Sequence, residues 1–233
     1  MVHYASGILP VTWYRGTPLF LVGQDARDRC WSDFGGKVER IDKNDPLNTA
    51  TRELWEETYG CLVDARALRN HLSPATCLAL RGRTQNHHPY WMFVAEVPFQ
   101  PHLRNAFHKT LAFLRHRASS RVFVEKVDVQ WVTWDVLKSS DMVKRSVFQH
   151  TLEANADVLS RVAAGESWTA LCAELAANHA AVAHMSSSFS AFSPFPSCSP
   201  FSHPPPTAPP PHKQTQEAPA SQLSQRLTPP APP

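Results

Sequence analysis

The prolines decide how much of this chain can build a packed fold. About two-thirds of the 21 lie beyond Ser186, in runs such as Pro204-Pro205-Pro206 and Pro209-Pro210-Pro211. Proline locks φ and has no backbone N–H to donate. A stretch made of Pro, Ser, Ala and Gln therefore completes neither helix nor sheet ladder and buries no core. We expect residues 186–233 to be a disordered tail: either a plain solvated segment or, through its polyproline runs, a ligand for SH3- or WW-type domains. The core must come from the first 185 residues or so, enough for one domain.

That part of the chain reads as mixed strand and helix. Ala5 to Trp13 and Leu19 to Val22 are β-type runs separated by Arg15-Gly16-Thr17-Pro18, which predicts a hairpin. Trp31 to Val38 contains Gly35-Gly36, and Thr76 to Leu80, Trp91 to Val97 and Val127 to Trp134 are further extended segments, rich in β-branched and aromatic residues. Cys61 to Val63 reads as the start of another. Asp45-Pro46 is an N-cap followed by proline in the first turn, so a helix should run from Pro46 to Thr58 or Tyr59 and stop at Gly60. Phe107, Leu111 and Leu114 repeat at helical spacing within a second helix, Asn105 to Arg117. Further helices are expected over Ser140 to Ala164, with a break, and over Ser167 to Ala183. The expected class is α/β (α+β), a mixed sheet between helices. Residues 1–138 would form the main domain, with helices in 139–185 packed on it.

Charge and cysteine content exclude little. A net charge of +3 without a dense Lys/Arg run does not repel an anionic substrate, yet makes no nucleic-acid stripe. Cys30, Cys61, Cys77, Cys172 and Cys198 show no C-x-x-C spacing and leave an odd number, so neither a zinc ribbon nor a disulfide framework is indicated. The N-terminus has no basic stretch leading into an apolar run. No apolar stretch reaches the roughly 18–20 residues that span a bilayer. The expected setting is cytoplasmic or nuclear.

The chemistry is concentrated on the helix after Pro46. At about 100° per residue, with Leu47 at zero, Ala50 and Leu54 fall within about 60° of it and form the buried stripe. Glu53, Glu56 and Glu57 fall near about 240°, 180° and 280°, beside the stripe rather than opposite it. Like charges at these spacings repel, and a hard divalent cation held through oxygen relieves that repulsion. An isolated E-x-x-E-E on a helix is more often a solvated acidic face. Here it directly follows Gly35-Gly36, whose lack of side chains lets other groups come close.

The segment GGKVERIDKNDPLNTATRELWEETYG resembles the Nudix box, G-x5-E-x7-R-E-U-x-E-E-x-G-U with U a bulky aliphatic residue. Arg52-Glu53-Leu54-Trp55-Glu56-Glu57 matches its R-E-U-x-E-E core at every position. The chain departs from the pattern at the edges. The loop after Gly36 is two residues longer, so the first box glutamate has no counterpart and Asp42 stands at its distance from Gly36. Tyr59 is an extra residue before Gly60.

The resemblance implies a Nudix-like sheet between helices and a Mg²⁺-dependent hydrolase (Mn²⁺ as substitute) that splits a pyrophosphate linkage by water attack on phosphorus. It makes Gly36 the first box glycine, Glu56 and Glu57 the main metal ligands, Glu53 a further ligand or base, and Arg52 the residue that orients a glutamate. Just before the late strand such domains place another acidic ligand; Glu125 is the candidate and Asp128 the second choice. Substrate contacts must come from elsewhere. Arg27, Arg29, Trp31 and Lys37, around the loop before and after the glycines, can meet phosphate or stack on a base. Arg81 and Arg83 are weaker candidates. His87 and His88 are adjacent and lack a third partner at zinc spacing, which favours a loop pair over a metal site. The expected substrate is a nucleotide or other diphosphate-containing small molecule. The alternatives are an RNA-cap hydrolase of the same fold and a non-catalytic domain that binds nucleotides or proteins.

Overall fold

The computed structural model describes residues 3–117 and 124–178. Its seven strands are β1 (Ala5–Tyr14), β2 (Thr17–Asp25), β3 (Trp31–Ser32), β4 (Phe34–Lys37), β5 (Cys77–Arg83), β6 (Pro89–Glu96) and β7 (Lys126–Val132). The helices are α1 (Pro46–Glu57), α2 (Ala65–His71), α3 (Leu103–Arg117), α4 (Trp134–Lys138), α5 (Ser146–Ala154), α6 (Ala156–Ala163) and α7 over 168–178. The expected tail after Ser186, and the last part of the helix expected to reach Ala183, lie outside the described residues.

β1 organises the sheet. Along one edge it runs parallel to β6, from Ala5 opposite Tyr90 to Val11 opposite Glu96. Its other edge is shared. The first half pairs antiparallel with β4, Gly7 opposite Gly35, and the second half pairs antiparallel with β2 through the turn at Arg15-Gly16. β5 extends the sheet beyond β6, while β3 and β7 pair with β2. The result is the mixed α/β layering expected from the alternation of strand and helix signals.

Side chains on a strand alternate between faces, and here they feed two separate cores. Leu9, Val11, Phe20, Val22, Leu78, Met92 and Val94 meet Trp134, Leu137, Phe148, Leu152, Leu159, Val162 and Leu171 from α4 to α7. Ile8, Leu21, Phe34, Phe93, Ala95 and Val129 meet Ala50 and Leu54 of α1, Leu68 of α2, and Leu103, Phe107 and Leu111 of α3. Among the described residues no helix is long and apolar enough to cross a membrane.

Two local expectations need correction. Cys61 to Val63 is not extended. It bends into α2, which Asp64 caps by accepting the Ala67 N–H. The strand expected to end at Trp134 stops at Val132, because Thr133 caps α4 and turns Trp134 into its first residue. Trp31 to Val38, which carries the two glycines, holds the two strands β3 and β4, interrupted at Asp33, whose buried carboxylate accepts a hydrogen bond from the Tyr90 hydroxyl.

Candidate active site

The helix is fixed at both ends. Asp45 accepts the Leu47 N–H at 2.9 Å, an N-cap worth about 1 kcal/mol. At the far end Tyr59 and Gly60 turn left-handed, with φ of 53° and 67°, and the Gly60 N–H donates to Trp55 O at 2.8 Å. The extra residue of the motif, Tyr59, has a definite job: its hydroxyl donates to the carbonyl of Lys126 at 2.8 Å and so ties the helix exit to β7.

Between these ends the glutamates are graded in burial. Ala50 and Leu54 are fully buried, Glu57 is 3% and Glu53 7% exposed, and the Glu56 side chain is 49% exposed. Glu53 lies against Gly36, where a Cβ would collide with its carboxylate, so glycine is required there for close approach. Glu57 accepts the Gly35 N–H at 2.9 Å.

Arg52 connects the row to the loop. Its guanidinium lies 2.8 Å from Glu53 Oε1 and 3.0 Å from Glu56 Oε2. It donates from Nε and Nη2 to the two oxygens of Asp42, each at 3.0 Å, and also to the Lys37 carbonyl at 3.0 Å. Asp42, the residue at the box-glutamate distance from Gly36, is therefore the anchor of the arginine. Burial works against its ionisation. The Arg52 guanidinium, the Glu39 N–H and the Thr49 hydroxyl outweigh that and hold its carboxyl below the usual carboxylate range.

Three buried carboxylates, Glu53, Glu57 and Asp33, are harder to ionise. Burial pushes Glu53 up to about 7 despite Arg52, with Glu56 and Glu125 adding to the rise. Burial pushes Glu57 up to about 8 despite Lys126, with Glu53, Glu125 and Asp33 adding. Asp33 rises to about 6, also through burial, against the pull of Tyr90 and Lys126. Among the described residues no three His, Cys, Asp or Glu side chains converge closely enough, as they stand, to hold a metal ion. The donor set nonetheless suits a hard cation. It consists of carboxylate oxygens that outnumber their cationic partners, and Glu56, paired with Arg52, is half-exposed.

Other candidates are scattered. Glu125, exposed, immediately precedes β7, and its field reaches Glu53 and Glu57. Asp128 is taken up by Arg104 and His108 of α3, at 2.5 and 2.8 Å. Arg27 and Arg29 lie in the exposed turn between β2 and β3, Arg29 with φ of 61°. Trp31 bridges to Lys144 and packs against the cluster under α4 to α7, across the sheet from α1. Lys37 is exposed and touches α1 through its carbonyl. Arg81 lies over the Trp91 ring, and His87 and His88 occupy the β5–β6 turn with Arg83 beside them.

Sequence reading missed Lys126. It is 0% exposed, donates to Ser32 Oγ at 2.7 Å and stands 3.4 Å from Glu57 Oε1. A lysine next to a glutamate at the start of a strand carries no signal of burial.

No family model and no curated protein matches this chain. Among solved structures it is similar to the NUDIX domain of Shewanella oneidensis NrtR complexed with ADP ribose, at 16% identity over 70% of this chain and 89% of that one, with a TM-score of 0.41. It is similar to a C. elegans Ap4A hydrolase binary complex at 17% identity, 68% and 98% coverage, and a TM-score of 0.41. It is also similar to a NUDIX hydrolase from Nitrosomonas europaea at 12% identity, 71% and 74% coverage, and a TM-score of 0.40. Likenesses at this level carry no argument about activity.

Proposed function

We propose that the chain is a Mg²⁺-dependent hydrolase that splits a pyrophosphate linkage, acting on a nucleoside diphosphate-linked or related small molecule. The observation that carries this reading is the packing of Glu53 and Glu57 against Gly35 and Gly36, with Glu56 and Glu125 alongside and too few cations to balance them. Carboxylates forced up to about 7 and 8 by burial and by one another are groups that a divalent cation would return to the ionised form.

Glu53, Glu56, Glu57 and Glu125 are the residues available to hold the ion. Mg²⁺ bound there would neutralise phosphate oxygens and acidify a water molecule. The chain's own contribution is positioning. Arg52, anchored on Asp42, fixes the oxygens of Glu53 and Glu56 from one side. Gly36 keeps the space over Glu53 free of a side chain. In the reaction the water oxygen forms a bond to phosphorus, its proton passes to a carboxylate of the row, and the bridging P–O bond breaks with its electrons leaving on the departing phosphate. Arg27 and Arg29, in the exposed turn after β2, are candidates to meet substrate phosphates.

The test is product analysis with Mg²⁺ on a panel that includes nucleoside triphosphates, dinucleoside polyphosphates, nucleotide sugars and capped RNA, for the wild type and Glu56→Gln. Turnover of a diphosphate by the wild type and its loss in the variant is expected. Equal turnover by both would remove the site.

A further inference from the structure

Lys126 is gripped at both of its ends by α1 and its exit. Its ammonium is fully buried, stands 3.4 Å from Glu57 Oε1 and donates to Ser32 Oγ at 2.7 Å. Its backbone carbonyl accepts the Tyr59 hydroxyl at 2.8 Å. The ammonium also closes a ring through the glycine strand. Lys126 reaches Ser32, the chain runs on from Ser32 to Gly35, the Gly35 N–H donates to Glu57 Oε2 at 2.9 Å, and Glu57 returns to Lys126. A buried ammonium that loses its partner is strongly destabilising, so the ring keeps its shape only while the lysine stays in place.

The sheet does not fix that place by itself. β7 pairs with β2 at Gln24 opposite Asp128 and at Asp25 opposite Lys126, which leaves Val127 between them as a bulge. Lys126 lies beyond the bulge, and the Tyr59 hydroxyl holds it there. Tyr59 is the residue that this chain has in excess before Gly60. It takes φ of 53°, uncommon outside glycine, and is kept there by its N–H donating to Glu56 O at 3.1 Å and by its ring against Phe107, with centroids 5.0 Å apart.

We propose that Tyr59 is a positioning residue for the hydrolysis: by holding the Lys126 carbonyl it places the ammonium that fixes the Glu57 carboxylate against Gly35. The inference rests on the hydrolase reading, and it needs two measurements that can fail separately. Turnover is followed on the diphosphate that the wild type cleaves, and amide hydrogen exchange is followed on the same full-length proteins. They are the wild type, Tyr59→Phe, Lys126→Met and the double variant Tyr59→Phe/Lys126→Met.

Tyr59→Phe keeps the ring on Phe107 and removes only the hydroxyl. It should lower kcat about fivefold to tenfold, the effect of one lost hydrogen bond, with KM within about twofold. Exchange at the Gly35 amide should quicken by a similar factor, while amides of α5, on the other face of the sheet, keep their rates. Lys126→Met should show the same pattern to at least the same extent. Because Tyr59 acts through the ammonium, the double variant should be no worse than Lys126→Met alone.

Wild-type kcat and Gly35 protection in Tyr59→Phe would overturn the proposal. So would exchange that quickens equally at Gly35 and in α5, since a hydroxyl that only adds stability acts on the whole fold. Penalties that add in the double variant would overturn it as well. If Lys126→Met does not fold, Tyr59→Phe alone decides on the first two criteria. A wild type that cleaves no diphosphate would sink the hydrolase reading instead, and exchange at Gly35 would then decide whether Tyr59 holds the glycine strand.

Discussion

The two faces of the sheet are covered in different ways. Under α4 to α7, Phe148, Leu159 and Val162 meet Leu9, Phe20 and Val22 in an almost wholly carbon interface. Under α1, Ala50 and Leu54 are buried as deeply, but their helix also sinks Glu53 and Glu57 toward the glycine loop, and β7 sends in Lys126. Burial of apolar surface stabilises the fold, whereas burial of a carboxylate destabilises it unless a partner compensates. The first face holds the domain together. The second draws on that stability to keep ionisable groups out of water.

The comparison breaks if substitutions on the two faces have the same consequences. Phe148→Ala, deep in the apolar face, should cost about 3–5 kcal/mol in a urea or thermal unfolding experiment and leave turnover per folded molecule unchanged. Glu56→Gln should do the reverse, lowering hydrolysis by about 10²-fold or more with little change in unfolding, because its side chain is half in solvent. Gly36→Ala should do some of both. Its methyl group must displace the Glu53 carboxylate, at a cost of about 1–3 kcal/mol, and the metal affinity of the same variant should fall.

The smallest effect sharpens the contrast through pH. Glu53, Glu57 and Asp33 titrate higher in the folded chain than in the unfolded one, toward about 7, 8 and 6. The stability they contribute is complete below their unfolded range and lost as pH rises through those values. Melting temperature in chelator should therefore decline from pH about 5 to about 8, and Mg²⁺ should recover most of the decline at the alkaline end. A flat profile would mean that the carboxylates are as well solvated as those on the surface.

Much of α1 was legible before any coordinates. Asp45-Pro46 and Gly60 bracket it, whereas its three glutamates, all expected beside the apolar stripe, differ in burial. Glu57, nearest the apolar stripe, is the most buried of the three, then Glu53, with Glu56 on the outside. The signal is local, and local signals survive in a sequence. α2 was also readable, from Asp64 and the Ala65–His71 run, but the Cys61–Val63 segment before it reads as extended and hides the helix start. What could not be read was long-range. The parallel pairing of β1 with β6 joins residues some eighty positions apart, and the position of Lys126 depends on a register shift, a glycine in another strand and a tyrosine at a helix exit. Nor does a Trp in a polar loop say which face it will cover. Trp31, a candidate for stacking on a base, went to the apolar side.

β1 is laced to β2, β4 and β6 together. Sliding it by a single residue would undo three ladders at once and exchange Ile8 for Leu9 between the two interiors. The strand thus acts as a keel: the glycine pair beside it and the helix resting on that pair have one alignment available, and the spacing of the acidic row is inherited from it.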